Sequence, residues 1–303
     1  MGCDFPIKAY RSPEFNPATG RRLLTFNPIK AVDSTTPIDI PCGRCMGCRL
    51  DRSQQWAVRC LHEAKMHEEN SFLTLTFDDE HLPIDYSVST RDMQLFMKKL
   101  RKSVQPKKVR FYLGAEYGDL YLRPHYHIIL FGHDFSDKKH FKQNHQGQWL
   151  YTSSSLDKLW PYGHATLGDV TFESAAYVAR YCIKKIGGDA ADQHYLRVHP
   201  LHGFICRVKP EFSLMSRRPG IGQSFFEKYR SDMFPSDQCI VNGRPVSMPR
   251  YYVKQLSEEE AKAISRQRRA KSLVYKPHKT NRRRHDRVIV RDARISKLKR
   301  DKL

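Results

Sequence analysis

The segment Arg123-Pro124-His125-Tyr126-His127-Ile128-Ile129-Leu130-Phe131-Gly132 constrains the fold more than any other stretch of the chain. Its apolar run predicts a strand from His125 to Phe131, anchored in a sheet and closed by Gly132. Residues i and i+2 of a strand project from one face, so His125 and His127 stand together, ~7 Å apart at the backbone. Imidazoles so placed can share one divalent cation or simply form a polar patch. Glu116 sits at the end of the preceding expected strand, Val109 to Glu116, before a turn at Gly118-Asp119. A hairpin joining the two strands brings that carboxylate beside the pair; otherwise it is a surface ion-pairing group near the turn. Two His and one carboxylate leave coordination positions open for a phosphate oxygen and water. Mixed N/O ligation suits Mn²⁺ or Mg²⁺ as a Lewis acid.

Around this strand the pattern is α+β. A helix is expected from Arg49 to His67, where Leu50, Trp56, Ala57, Cys60, Leu61 and Ala64 recur at helical spacing. Ser71 to Phe77 reads as a buried strand, and Thr90 to Val104 as a helix with Thr90 as its N-cap. The Ser-, Asn-, Gln- and Gly-rich stretch after Gly132 reads as a loop to about Ser155. Gly168 to Val170 is expected to start a strand, and Ser174 to Lys185 to form a helix. Neighbouring strands in such an order are expected to be antiparallel.

That last helix holds Ala175-Ala176-Tyr177-Val178-Ala179-Arg180-Tyr181-Cys182-Ile183-Lys184-Lys185. Tyr177 and Tyr181 are four apart and share a face. Two helical tyrosines ordinarily pack a core. A phenol is a poor nucleophile at its usual pKa of about 10, but nearby cations such as Arg180, Lys184 and Lys185 and a metal-polarised phosphate can activate it.

Near the N-terminus, Cys42-x-x-Cys45-x-x-Cys48 has metal-ligand spacing, with Gly43 and Gly47 permitting tight turns. Three thiolates need a fourth partner for a closed zinc site; Cys3 is the first candidate and Cys60 the second. An iron–sulfur cluster lacks its fourth Cys and following Pro at the expected spacing, and free thiols are the remaining alternative. Cys182, Cys206 and Cys239 are isolated and expected to be packed or inert. The start, Met1-Gly2-Cys3-Asp4-Phe5-Pro6, has no basic segment followed by an apolar run, so a reducing cytosol is the expected compartment.

The chain of 303 residues carries 53 Lys and Arg against 32 Asp and Glu, a net charge of +21, with 40% hydrophobic residues. That core content excludes a wholly disordered chain. The charge implies an anionic partner, nucleic acid or an anionic membrane surface, and no apolar run reaches the length of a membrane span. Residues 261–303 hold 17 Lys and Arg against three Asp, two thirds of the net charge. They read as a basic, solvated tail, partly helical from Ser257 to Ala270. Arg282, Arg283 and Arg284 within it can grip phosphates. Ser216-Arg217-Arg218-Pro219-Gly220 reads as a basic turn whose Arg217 and Arg218 can grip a DNA backbone, or as an ordinary solvated loop. The expected organisation is residues 1–50, Cys-rich and irregular but for a short strand at Arg22–Phe26; 51–260, the main domain; and 261–303, the tail.

The His-hydrophobe-His strand, the carboxylate upstream and the later helix with Tyr and Lys resemble the layout of HUH endonucleases. The paired tyrosines in Tyr177-Val178-Ala179-Arg180-Tyr181 resemble those of rolling-circle initiators of the microviruses. The gokushovirus branch is similar through Pro41 to Arg49, Ser53 to Arg59, Leu73 to Phe77, Glu116-Tyr117-Gly118, Arg123 to His127 and Ser216 to Gly222, in that order. The resemblance implies a ferredoxin-like or RRM-like core with a central antiparallel sheet. It implies His125, His127 and Glu116 as ligands of Mg²⁺ or Mn²⁺, and Tyr177 and Tyr181 as nucleophiles. Lys184, with Lys185 or Arg180, would position phosphate or neutralise charge. Cys3, Cys42, Cys45 and Cys48 are the expected ligands of a structural Zn²⁺.

The implied activity is nicking and joining at a single-stranded or supercoiled DNA origin, through a 5′-phosphotyrosine and a free 3′-OH, in the cytoplasm of a bacterial host. A host polymerase would extend the 3′-OH, and a host helicase is expected because no Gly-x-x-x-x-Gly-Lys-Ser/Thr loop is present. The competing readings are a HUH transposase or relaxase, and a non-catalytic zinc-stabilised DNA-binding or packaging protein.

Overall fold

The computed structural model describes residues 2–18, 20, 22–118, 121–144, 147–181, 190–199, 202–278 and 280–297. In chain order the elements are β1 (Ile7–Phe15), β2 (Arg22–Thr25), β3 (Ile38–Ile40), α1 (Met46–Ala64), β4 (Asn70–Phe77), α2 (Thr90–Ser103), β5 (Arg110–Tyr117), β6 (Pro124–Phe131), β7 (Lys139–Gln143), β8 (Trp149–Thr152), α3 (Ser154–Leu159) and β9 (Gly163–Gly168). They continue with α4 (Phe172–Tyr181), α5 (Ala190–His194), β10 (Leu196–Val198), β11 (Ile205–Arg207), β12 (Phe212–Met215), α6 (Gln223–Met233), β13 (Gln238–Val241), β14 (Arg244–Ser247), α7 (Arg250–Val253), α8 (Glu258–Val274) and α9 (Asn281–Ser296). The fold is mixed α+β. Among the described residues, no helix is long and apolar enough to cross a membrane.

The chain forms two compact units. The smaller comprises Met1–Arg52 with Tyr275–Lys297, and the larger centres on Ser53–Val274. This differs from a division at 50 and 260, because composition does not reveal that the last helix folds back. Arg291 of α9 donates to both carboxylate oxygens of Asp4 at 2.5 Å, and Arg284 donates to Asp39 at 3.0 Å. The segment expected to be a solvated tail is therefore helical over both α8 and α9, with Thr280 capping α9 through Arg283 N–H. Residues 1–50, expected to be irregular but for a short strand at Arg22–Phe26, hold a small antiparallel sheet in the order β2-β1-β3, with β2 at that strand. Pro13 is accommodated where the β1–β2 register shifts between Arg11 and Phe15.

The larger unit is built on a seven-stranded sheet, ordered β12-β5-β6-β4-β9-β8-β7 and antiparallel throughout. β6 is buried along its whole length because helices cover both faces beside it. One face packs Leu73, Leu75, Leu113, Ile128, Leu130, Ala165 and Leu167 against Met93, Phe96, Met97 and Leu100 of α2 and Leu156 of α3. The other packs Tyr112, Ile129 and Phe131 against Ala175, Val178 and Ala179 of α4 and Ala57, Cys60 and Ala64 of α1. The small alanines let these helices lie close on the sheet. A third cluster joins Phe226 and Met233 of α6, Tyr252 of α7 and Ile264 of α8.

Three local expectations change. The N-cap of α2 is Ser89, whose Oγ accepts from Asp92 N–H at 3.2 Å; its own N–H donates to the buried Tyr126 hydroxyl at 2.8 Å. Gly168 ends β9 rather than starting a strand. The polar stretch after Gly132 contains the β7–β8 hairpin, invisible to alternation because every β7 residue is exposed.

The Ser216-to-Gly222 loop is fixed by a buried carboxylate. Glu63 accepts from Arg110 Nε at 2.5 Å and from Gly222 N–H at 2.6 Å, and Arg110 also donates to the Pro219 carbonyl at 2.7 Å. Gly222 sits at φ +79°, and a Cβ there would meet the Tyr252 hydroxyl at 2.3 Å. Burial raises the Glu63 pKa, but His67, Gly222 and Arg110 together hold it below the usual 4.5. A depressed carboxylate stabilises the fold above its unfolded value and loses that contribution as pH falls through its folded value. Glu63→Gln leaves Arg110 unpaired and is expected to cost roughly 3–5 kcal/mol at pH 7. In thermal melts the gap between wild type and variant should close as pH drops below 4.5.

Candidate nucleic-acid nicking site

The register of the sheet assembles the sequence-expected groups. Glu116 lies directly opposite His125, and His127 lies opposite Thr74 of β4. All three expected ligands are at least nineteen-twentieths buried. His125 Nδ1–H donates to the Arg123 carbonyl at 2.5 Å, which fixes the tautomer and leaves Nε2 with its lone pair. Burial, then the neighbouring His127, pushes the His125 pKa below 6.5, so the ring is neutral and ligand-competent at pH 7. His127 Nε2 lies 3.0 Å from Glu116 Oε1, and its Nδ1 lies 3.1 Å from the Thr74 hydroxyl. A hydroxyl both donates and accepts, so Thr74 serves either tautomer of His127. Gly118 lets the chain pass close to the site: a Cβ there would meet His125 Cε1 at 3.0 Å.

α4 brings Tyr177 to this strand. Its N-terminus is closed by a reciprocal cap, Ser174 N–H to Thr171 Oγ1 at 3.1 Å and Thr171 N–H to Ser174 Oγ at 2.8 Å. With Ala175, Val178 and Ala179 on the sheet, Tyr177 falls on the flank beside the histidines. Its ring meets His127 edge-on at 5.1 Å and Phe72 at 6.4 Å. Phe72 also stacks on His127 at 5.9 Å. The Arg180 guanidinium lies 5.9 Å from the Tyr177 ring centre. Tyr181 is the last described residue of α4; its side chain, Lys184 and Lys185 lie outside the described residues. Sequence reasoning missed Thr74 and Phe72, whose places follow only from the β4–β6 register.

Arg217 and Arg218 are exposed on the loop held by Glu63. In the smaller unit Arg282 and Arg283 are exposed, whereas Arg284 is engaged with Asp39.

The same unit holds a thiol cluster. Cys3, Cys42, Cys45 and Cys48 bring four Sγ atoms within 4.8 Å of one another, a set that can hold a metal ion such as zinc. Backbone N–H groups already point at the sulfurs: Asp4 to Cys45, Cys42 to Cys3 and Cys45 to Cys42, each at 3.3 Å. Burial opposes ionisation of Cys42, yet N–H groups of Cys45 and Arg44 bring it down to about 7, whereas burial pushes Cys48 up to about 12. Cys60 belongs instead to the α1–α4 core, so Cys3 is the fourth member. Cys206 and Cys239 are buried, and Cys182 lies outside the described residues. Among the described residues no other set of three His, Cys, Asp or Glu ligand atoms converges so closely. Glu116, His125 and His127 are neighbours in a wider arrangement, with Glu116 bonded to His127. Their donor set, two imidazoles and a carboxylate with His125 Nε2 oriented by its partner, fits a hard or borderline divalent cation.

Known proteins extend this geometry. The family model described as replication-associated protein ORF2/G2P matches residues 70–186, a span running from β4 past the end of α4. The chain is 34% identical over 261 residues to replication-associated protein VP4 of Bdellovibrio phage phiMH2K, covering 83% of this chain and 76% of that protein. It is 30% identical over 232 residues to replication-associated protein ORF2 of Spiroplasma virus 4, covering 73% and 68%. Against replication-associated protein ORF4 of Chlamydia phage 1 it is 31% identical over 222 residues, 70% of this chain and 52% of that one. No solved structure matches the chain. With a third of its positions shared along three quarters of a relative, the chain belongs to the replication-associated proteins of the microviruses.

Proposed function

We propose that this protein starts rolling-circle replication of a small circular single-stranded DNA phage genome by nicking the origin strand and later rejoining it. The observation that carries the reading is the meeting of Tyr177 with His127, itself hydrogen-bonded to Glu116. A nucleophile beside a potential cation site is what phosphoryl transfer requires. The strand order β5-β6-β4-β9, with α2 between β4 and β5 and α3 between β6 and β9 on one face, supports a ferredoxin-like HUH core. The names of the relatives support a role in phage replication.

A divalent cation, Mg²⁺ or Mn²⁺, held by His125, His127 and Glu116 would polarise a non-bridging oxygen of the scissile phosphate. The Tyr177 oxygen attacks phosphorus and loses its proton. The P–O3′ bond breaks, and the departing 3′-oxygen takes up a proton as the free 3′-OH. The 5′-phosphate stays on the tyrosine, so the bond energy is kept for rejoining. Arg180 lowers the cost of the phenolate. Tyr181 acts on the regenerated origin, and the freed 3′-OH attacks the first phosphotyrosine to close a circle. Lys184 and Lys185 neutralise phosphate charge. Arg217, Arg218, Arg282 and Arg283 contribute salt-dependent phosphate contacts. A host polymerase extends the 3′-OH and a host helicase opens the duplex, in the host cytoplasm.

The test is a denaturing gel of protein incubated with circular single-stranded genome and Mn²⁺. Wild type is expected to give a metal-dependent covalent adduct. His125→Gln and His127→Gln should each reduce it roughly 10²–10³-fold, the loss of several kcal/mol of charge stabilisation. Tight DNA binding without any adduct would overturn the reading in favour of a non-catalytic DNA-binding protein.

A further inference from the structure

We propose that the β7–β8 hairpin is a stacking platform for single-stranded DNA, holding the substrate strand away from the nicking site. The proposal rests on the function proposed above for its choice of ligand, and on independent features of the hairpin for its place.

The first feature is the aromatic set. Trp149 and Tyr151 of β8 flank His140 of β7, with ring centres 4.6 and 5.0 Å from the imidazole. Phe141 is the residue at which the β7–β8 register slips, between His140 and Lys142. A bulge re-aims the side chain it carries, and here that side chain is 55% exposed, with Trp149 43% exposed. An edge strand ordinarily shows charge and avoids large apolar groups. Tyr151 is the exception that anchors the set, since it packs partly on the core below.

The second feature is charge. Lys142 Nζ lies 5.4 Å from the Phe141 ring centre, and Lys139 is exposed on the same strand. Rings interleaved with cations suit a ligand with both π-faces and phosphates. A protein partner would use the rings but gains nothing specific from this alternation.

The third feature is the route. A single cross-strand row leads from the site to the hairpin. His127 pairs with Thr74, and Thr74 with Thr166 of β9. Tyr151 pairs with Leu167, which sets Thr152 beside Thr166, and Thr152 pairs with Lys139. The row is three threonines ending in a lysine, low and polar, on the histidine face. Four strand spacings of ~4.8 Å make it about 19 Å long. Alternation places Lys139 on the histidine face and His140 with Tyr151 on the other. A strand leaving His127 therefore meets the lysine at the sheet edge, and the rings as it turns around that edge.

The test uses the full-length protein and fluorescence anisotropy with labelled dT oligonucleotides of 6 to 20 nucleotides, without added divalent metal. No nicking is needed for this reading, so its result is separate from that of the adduct assay. Phe141→Ala with Trp149→Ala is expected to weaken binding of the 20-mer roughly 10- to 100-fold, with little change for the 6-mer or for duplex. Of the three tryptophans, Trp160 is buried and Trp56 is half-buried against Tyr112 and Arg59, which leaves Trp149 the most exposed. Wild-type fluorescence should therefore be quenched by the 20-mer, and Trp149→Phe should remove most of that quench, a reading independent of how the double variant folds. Unchanged affinity for the 20-mer in a folded double variant, or a quench that survives Trp149→Phe, overturns the proposal. Equal loss on duplex and single strand overturns it too, since stacking needs unpaired bases.

Discussion

Tyr177→Phe is expected to reduce the first covalent adduct by roughly 10⁴-fold or more, because it removes the atom that forms the bond. The substitution keeps the ring, and with it the edge contacts to His127 and Phe72. Melting temperature and DNA affinity should therefore stay near wild type. The loss then belongs to chemistry rather than to folding. Tyr181→Phe should leave the first adduct intact and block the second cleavage, so displaced strands accumulate without circles. The opposite assignment, adduct lost in Tyr181→Phe alone, would reverse the order of the two tyrosines. Thr74→Val removes the hydroxyl bonded to His127. A supporting partner of that kind is worth about 10- to 100-fold, and Thr74→Ser should restore it.

Cys45→Ser is expected to release one zinc per chain and unfold the smaller unit. The apolar clusters all lie in residues of the larger unit. The smaller unit is held by the four thiols and by ion pairs such as Arg291 with Asp4 and Lys8 with Asp39. A closed thiolate site contributes about 10–16 kcal/mol of binding free energy at pH 7, which becomes folding free energy. Hydrogen exchange should therefore speed across β1, β3 and α9 on chelation or in Cys45→Ser, while β4, β5 and β6 keep their protection. A colorimetric chelator assay should count one zinc in wild type and none in the variant. Protection in β1 and α9 that survives complete chelation would contradict a metal-held unit.

Much of the site was legible because it rests on local periodicity. The two-residue spacing of His125 and His127 and the apolar run after them define a buried strand. The helical spacing of Tyr177 and Tyr181 holds as far as α4 is described. What escaped was long-range pairing. Thr74 and Phe72 matter only because β4 lies beside β6, and strand order is not written in either strand. Strands β1 and β3 escaped because six prolines before residue 42 mask short strands, and Pro13 is tolerated only at an irregular point. The β7–β8 hairpin escaped because a fully exposed edge strand has no inward face to alternate with. The last helix looked like tail because its apolar residues are few and two of them, Ile289 and Val290, are exposed. Arg291 and Arg284 read as phosphate-binding charge until the fold brings Asp4 and Asp39 to them.

In the proposed reaction a tyrosine of α4 attacks DNA at the histidine strand. The most direct measurement is mass spectrometry of the peptide left attached to DNA. Wild-type protein would be incubated with its circular single-stranded genome and Mn²⁺, denatured, and digested with nuclease and trypsin. Cleavage after Arg180 separates the two candidates, since Tyr177 falls in the peptide Leu159 to Arg180 and Tyr181 begins the next. A nucleotide on Tyr177 after a single turnover, dependent on metal, is the expected result. DNA cut without any linked peptide, or a nucleotide on a residue outside α4, would contradict it.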